Sequence, residues 1–340
     1  MIQADFLIIG QGIAGTLLSY ELINQGKKVL VIDKFNPTKS SLVAGAVLNP
    51  MSGKHWAPSP RAAVFIPKAI QTYRSIEEIL NTSILTETRL NVFHESNEKR
   101  IQFEQQRKAF PSFFEEHVDL KNIFFKNDFG CGVINGLYQI HAEILLKQWR
   151  LYLESRNAFI EGEFEFGEIE FLPEEIRYRN ISTSKIIFCI GAEAVSSPYF
   201  QCLPFTKNRG EALIVSIPDL PEDAIYHKHL RLIPKGNGLF WCGSNYIWNF
   251  ENLKPDEIWK ANAIKELKQW LQLPFSVKDH IVAQRPTTEG QVPIVGMHPQ
   301  INNVAIFNGL GTRGFSSGPY WAYELAKQLL DPEYQIQKIN

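Results

Sequence analysis

"DFLIIGQGIAGTLLSYEL", residues 5–22, decides the fold of this 340-residue chain. "DFLIIG" is a short, nearly continuous apolar run, the pattern of a strand buried on both faces of a parallel sheet. Gly10-x-Gly12-x-x-Gly15 follows. Beyond it Leu17, Leu18, Leu22 and Ile23 recur at helical spacing, and Gly26 stands where a helix C-cap belongs. "KVLVID" then reads as a second strand ending in Asp33.

Each glycine has a task in such a unit. Gly10 makes the tight turn off the strand. Gly12 brings the backbone close to a pyrophosphate resting on the helix N-terminus, which Ile13 and Ala14 open. Gly15 lets helix and strand pack tightly. Asp33, 18 residues after Gly15, is placed to accept hydrogen bonds from a ribose, with Lys34 beside it. An acid there, rather than a small residue followed by arginine, argues for an unphosphorylated ribose and leaves NAD and FAD both open. A glycine-rich turn without a ligand is the competing reading.

The chain around this unit has ordinary globular composition: 44% apolar, 21% charged and 12% aromatic. Its length suggests two domains, since one core seldom grows past roughly 250–300 residues. A net charge of −1 leaves no basic surplus to neutralise nucleic-acid phosphates, although a local patch stays open. Cys131, Cys189, Cys202 and Cys242 lie far apart with no Cys-x-x-Cys, so neither a metal site nor a disulfide framework is expected. They read as small buried hydrophobes in a reducing compartment. No apolar run approaches the ~20 residues that span a bilayer. The first strand opens by about residue 5, leaving no room for a signal peptide, so a cytoplasmic location is expected.

After Asp33 comes a long Gly-, Ser-, Pro- and Asn-rich stretch to residue 60, of a length usually functional or disordered. Residues 64–80 read as a helix with Ile70, Tyr73, Ile76, Ile79 and Leu80 on one face. Between 84 and 135 the pattern changes to short strands ("LNVFH", "NIFF") and a polar helix near 96–110. Residues 142–156 are an amphipathic helix, "IEGEFEFGEIEFL" is strand-like, and "KIIFCIGA" is a buried strand ending at Gly191 and Ala192. Strands and one helix (254–271) fill 205–280, and the chain closes as strand, glycine-rich loop and helix. The expected fold is α/β plus α+β. A discontinuous Rossmann-like dinucleotide domain (1–80, 136–202 and 281–340) receives a mixed-sheet substrate domain as two insertions (81–135 and 203–280).

The stretches "GQGIAGTLLSYEL", "VAGAVLNP", "IIFCIGA", "RGEALIV", "RPTTEGQVPIVG" and "GLGTRGFSSGPYWAYELAKQLL", in that order, resemble the D-amino-acid-oxidase-like superfamily of FAD enzymes. That superfamily includes glycine oxidase and sarcosine oxidase. The nearest likeness is to the FAD-oxidase half of the bifunctional enzyme that finishes methylaminomethyl-uridine in bacterial tRNA. The resemblance implies FAD, and the last segment agrees with it. "NGLGTRGFSSGP" places a helix N-terminus where it stabilises negative charge gathering on the N1–C2=O edge of a reduced flavin. Gly309, Gly311, Thr312, Gly314 and Phe315 are the contacts expected there, and Arg313 adds a full charge; a surface arginine and plain turn glycines are the alternatives. The resemblance carries Gly45, Ala46 and Val47 over as backbone contacts of the isoalloxazine ring, and Gly191 and Ala192 to the ADP end.

The superfamily's hallmark is oxidation of a C–N bond by hydride transfer to flavin, which needs no metal and often no strong base. A small-molecule amine or amino acid is the implied substrate. Arg285, opening "RPTTEGQVPIVG", matches an arginine that grips the substrate carboxylate, a task suited to its permanently charged fork. A structural pair with Glu289 is the alternative. Tyr246 and Trp248 fall where relatives place side chains over the flavin, against a reading as core aromatics. His55, beside Trp56, lies near the presumed ring or is an ordinary loop histidine. No cysteine follows Cys242, so FAD is expected to be non-covalent. "GLFWCGSNY" lacks the oxygen-activating lysine of sarcosine-oxidase relatives, leaving the electron acceptor, O2 or another, unknown. The chain has no room for the methyltransferase half of the tRNA enzyme, so a tRNA substrate would need a partner. Carboxymethylaminomethyl-uridine in tRNA, a 2-hydroxyacid (which needs a histidine base) and a flavin-binding protein without activity are the other readings.

Overall fold

The computed structural model describes residues 1–51, 56–59, 61–115 and 123–337. The chain opens with β1 (Ile2–Ile9), α1 (Ile13–Asn24) and β2 (Val29–Asp33), the unit read from the glycine motif. A one-turn helix, α2 (Ser40–Val43), and β3 (Val47–Leu48) precede α3 (Ala62–Leu80), β4 (Leu85–Phe93) and α4 (Asn97–Ala109). Next come β5 (Cys131–Ile140), α5 (Ala142–Ser155), β6 (Phe159–Glu161), β7 (Ile169–Phe171), β8 (Ile176–Tyr178) and β9 (Ile181–Phe188). The strands β10 (Phe205–Ser216), β11 (Ala224–His227), β12 (Arg231–Gly236) and β13 (Leu239–Gly243) lead to α6 (Glu257–Trp270). The chain closes with β14 (Ser276–Thr288), β15 (Ile294–Met297), β16 (Val304–Asn308) and α7 (Gly314–Leu330).

Two mixed sheets organise these elements. The first runs β15-β16-β9-β1-β2-β6, with β8 and β7 added at β9. Its centre is parallel: β1 pairs with β2 (Ile8↔Val31) and with β9 (Ile9↔Phe188). Strands buried on both faces read as unbroken apolar runs, which is why β1 and β2 were legible. Leu17, Leu18 and Leu22 of α1 pack on this sheet beside Tyr73 of α3, Trp149 of α5 and Leu325 of α7. Each buried leucine contributes about 2 kcal/mol. The second sheet runs β14-β10-β13-β12-β11-β4-β5-β3. Ala263, Leu267 and Trp270 of α6 cover its Leu213, Val215 and Phe240. No helix among the described residues is long and apolar enough to cross a membrane.

Several sequence expectations shift. "NIFF" forms no strand among its described residues: Phe125 makes one isolated bridge to Leu271, and its ring stacks on Trp270 at 4.7 Å. Its apolar character serves that packing, not a ladder. "IEGEFEFGEIEFL" breaks into β6 and β7 around a 3-10 turn at Phe166–Glu168. β9 stops at Phe188, and Gly191 (φ 58°) instead starts a 3-10 turn. Cys202 is exposed rather than buried. Boundaries at 135/136 and 280/281 fall inside β5 and β14, both strands of the second sheet.

Candidate active site

The glycine motif divides its labour as steric chemistry requires. Gly10 has φ 98°, and a Cβ there would lie 2.5 Å from the Cys189 carbonyl oxygen. A Cβ on Gly15 would sit 1.9 Å from the Gly10 oxygen. These two glycines are filled by protein. Gly12, the N-cap of α1, is not: a Cβ would meet only Ser41 Oγ, at 3.2 Å. Gly12, Ile13 and Ala14 instead open on a cavity of about 370 Å³. The Ile13 N–H donates to Ser41 Oγ (3.0 Å), and no acidic residue occupies the first turn of α1.

The far end of the chain reaches the same cavity. Gly311, Thr312, Gly314 and Phe315 line it from the N-terminus of α7, whose first turn also lacks an acid. A Cβ on Gly314 would come within 3.2 Å of Ile13 Cγ2, so the two helix N-termini adjoin. Gly45, Ala46 (φ 45°) and Val47 form a third wall, held where the Trp241 indole N–H donates to the Val43 carbonyl at 2.9 Å. Gly191 lines the cavity as well. Two acid-free helix N-termini and a rim of glycine backbone fit a dinucleotide carrying two phosphates.

Other residues expected as contacts do not line this cavity. Asp33 is buried and accepts the Gln11 N–H (2.9 Å) together with charged donors from Lys39 and Arg150 (2.7 Å). Asp33, Lys34 and Ala192 do not line this cavity; Lys34 pairs with Glu163. Gly309 and the exposed Arg313 line a second cavity of about 410 Å³. Arg313 lines that second cavity and not the first. His55 lies outside the described residues.

Arg285 lines the first cavity from β14. Its Nη1 donates to Asn208 Oδ1 (2.6 Å) and to the Asn245 carbonyl (3.1 Å), and its Nη2 to Ser244 Oγ (3.1 Å). All these acceptors are neutral, and among the described residues no carboxylate, Glu289 included, lies within ion-pair distance. A Cβ on Gly210 would fall 2.1 Å from Arg285 Nη2, so the guanidinium lies flat against that glycine. The Tyr246 ring centroid is 4.5 Å from Arg285 Cζ. Tyr246 and Trp248 are 59% and 51% exposed, so neither is a core aromatic.

Sequence reasoning missed several lining residues. Arg231, His227 and His229 face the cavity. Burial pushes His227 down to about 3, and its ring packs on Trp56 at 5.5 Å. His229 Nδ1 is 3.2 Å from Glu95. Glu211 lines the cavity too, but its carboxylate is taken by Arg209 Nη2 (2.9 Å), Asn245 Nδ2 (3.2 Å) and the Asp256 N–H (2.9 Å). Arg231 had one available signal, a charge set among apolar residues in "LRLIP". No lysine lines the cavity, and no group of acids, histidines and cysteines could hold a metal, among the described residues.

A curated relative, the uncharacterised oxidoreductase YurR of Bacillus subtilis (strain 168), is 38% identical over 55 residues, which is 16% of this chain and 15% of that protein. The chain thus matches well under two thirds of that relative's length. The crystal structure of glycine oxidase from Geobacillus kaustophilus superposes with a TM-score of 0.81 at 15% identity, covering 100% of both chains. Iminodiacetate oxidase from Chelativorans sp. BNC1 superposes at 0.77 with 19% identity, covering 98% of this chain and 97% of its own. These establish the fold. The family model for FAD dependent oxidoreductases (DAO) matches residues 5–328, nearly the whole chain, and the protein belongs to that family.

Proposed function

We propose that this FAD-dependent oxidoreductase oxidises the C–N bond of a small amino acid or secondary amine bearing a carboxylate. One observation carries the reading: the Arg285 guanidinium, bound only to neutral acceptors, faces the cavity on which both helix N-termini open. A half-buried cation without an acid is costly and becomes favourable when a carboxylate arrives. FAD, when bound, supplies the hydride acceptor. Gly12, Ile13 and Ala14 would hold its diphosphate, and Gly45, Ala46 and Val47, with Gly311, Thr312, Gly314 and Phe315, would hold its ring. Asn208, Ser244 and the Asn245 carbonyl fix the plane of Arg285, and Arg285 orients the amine. The two sheets divide the work, the first carrying the dinucleotide cradle and the second the substrate arginine, with the boundary at strand ends.

His227, held neutral by burial, is a weak base and unsuited to proton abstraction from a hydroxyacid. A second reading, the same chemistry on carboxymethylaminomethyl-uridine in tRNA, draws on the second cavity. It shares Tyr246, Leu310, Gly311 and Thr312 with the first, and exposed Trp248 and Arg313, with half-buried Arg61, line it as a stacking ring and cations would. Anaerobic mixing of the purified holoprotein with amines, amino acids, hydroxyacids and modified tRNA tests both. Loss of the yellow flavin absorbance with amino acids supports the first reading; loss only with tRNA selects the second. Bleaching by hydroxyacids alone overturns both.

A further inference from the structure

Arg231 stands on β12 and faces the same cavity as Arg285. Among the described residues it has no ion-pair partner, and no hydrogen bond engages its guanidinium. Glu211, the one carboxylate lining the cavity among those residues, is already committed to Arg209, Asn245 and Asp256. The cavity therefore presents two guanidinium groups and no free acid.

Strand register places them. Arg231 pairs with Gly243 on β13, and Gly243 pairs with Ala212 on β10. The Arg285 guanidinium lies against Gly210, two residues from Ala212 on the same face of β10, and bonds Ser244, next to Gly243. Two strand spacings, roughly 10 Å, separate the backbone of Arg231 from that of Ala212, and the Arg285 guanidinium lies two residues further along β10, against Gly210. Between the two arginines lie Gly210, Ala212 and Gly243, with the Trp241 indole against Gly243, where a Cβ would fall 3.0 Å from its Cη2. Burial pushes both arginines' pKa values down while Tyr246 opposes the shift in both, so the tyrosine bears on each. Two uncompensated cations on one face of the sheet match a ligand with an anion at each end.

We propose that Arg231 is a second anion anchor and that the substrate class of this site is an amine carrying two acidic groups, one for each guanidinium. The proposal rests on the C–N oxidation reading for its chemistry, and on the two arginines alone for its binding.

Calorimetric titration of the holoprotein with thiodiacetate and with (methylthio)acetate, which lack the amine and differ by one carboxylate, tests the anchor. The diacid binds at least about tenfold tighter to the wild type. In Arg231→Met that advantage shrinks below about threefold, and Arg231→Lys restores part of it. The flavin spectrum of ligand-free Arg231→Met matches the wild type. Equal wild-type affinities, equal losses for both ligands, or a changed ligand-free spectrum overturn the proposal. Anaerobic mixing with iminodiacetate and sarcosine separates the two claims. Bleaching by both without preference for the diacid removes the second anchor and leaves amine oxidation standing. Tight diacid binding without bleaching by either amine keeps the anchor and removes amine oxidation.

Discussion

A methyl group added to Gly210 would collide with both Nη2 and Cζ of Arg285, at 2.1 and 2.2 Å. Gly210→Ala therefore pushes the guanidinium off Asn208 and Ser244 without touching its charge. The expected result is a KM for carboxylate-bearing amines raised about 10–100-fold, with a smaller change in kcat and a melting temperature close to wild type. A KM that stays put would mean that Arg285 does not hold the substrate. Ala46 has φ 45°, a region that a β-branched residue enters only with strain, and it lines the cavity. Ala46→Val is expected to copurify with little FAD while Ala46→Gly stays yellow, as the absorbance ratio of flavin to protein will show. Residues differ in how far sequence exposes them. Gly10 and Gly15 act within a dozen residues of one another, so their spacing is a readable signal. Arg231 acquires its meaning from Gly243 and Gly210 across two strands, and no local pattern encodes that pairing.

Helices were the most legible elements, because an apolar stripe repeats along them. Expected spans of 64–80, 96–110 and 142–156 correspond to Ala62–Leu80, Asn97–Ala109 and Ala142–Ser155. Short apolar runs were ambiguous: "NIFF" buries Phe125 against Trp270 without forming a strand. What sequence could not give is how closely α1 and α7 approach. A Cβ on Gly318 would sit 2.8 Å from Leu17 Cδ1, and one on Gly314 3.2 Å from Ile13 Cγ2. Gly318→Val should wedge the helices apart, costing about 1–3 kcal/mol of stability, and should weaken FAD binding by moving both N-termini off the phosphates. Denaturant unfolding of the apoprotein and flavin titration measure the two effects separately. A stability loss with unaltered FAD affinity would show that the helix contact does not set the cradle.

At the scale of the whole molecule, the cavity is walled by elements of both sheets, so a dinucleotide bound there would tie α1 to β10, β12 and β14. Saturation at 100 times Kd adds about 2.7 kcal/mol to the native state. Acid acts in the opposite direction through histidines that the fold keeps neutral. Burial lowers His94 to about 4 and His227 to about 3, and lowers His141 as well. Above about 6.5 both native and unfolded chains hold these rings neutral, and they contribute no pH dependence. Below it the unfolded chain takes up protons that the native rings refuse, so stability is lost as pH falls toward 4 for His94 and toward 3 for His227. For His94, which is 5% exposed, the loss is on the order of 1 kcal/mol per pH unit. Glu21, raised by burial, works the other way, as the native carboxyl protonates first. Urea unfolding of apoprotein between pH 7 and 5 should therefore show a falling midpoint, and His94→Gln should flatten that fall whatever it does to stability at pH 7. A variant whose midpoint drops as steeply as wild type would remove His94 as a source of the acid sensitivity.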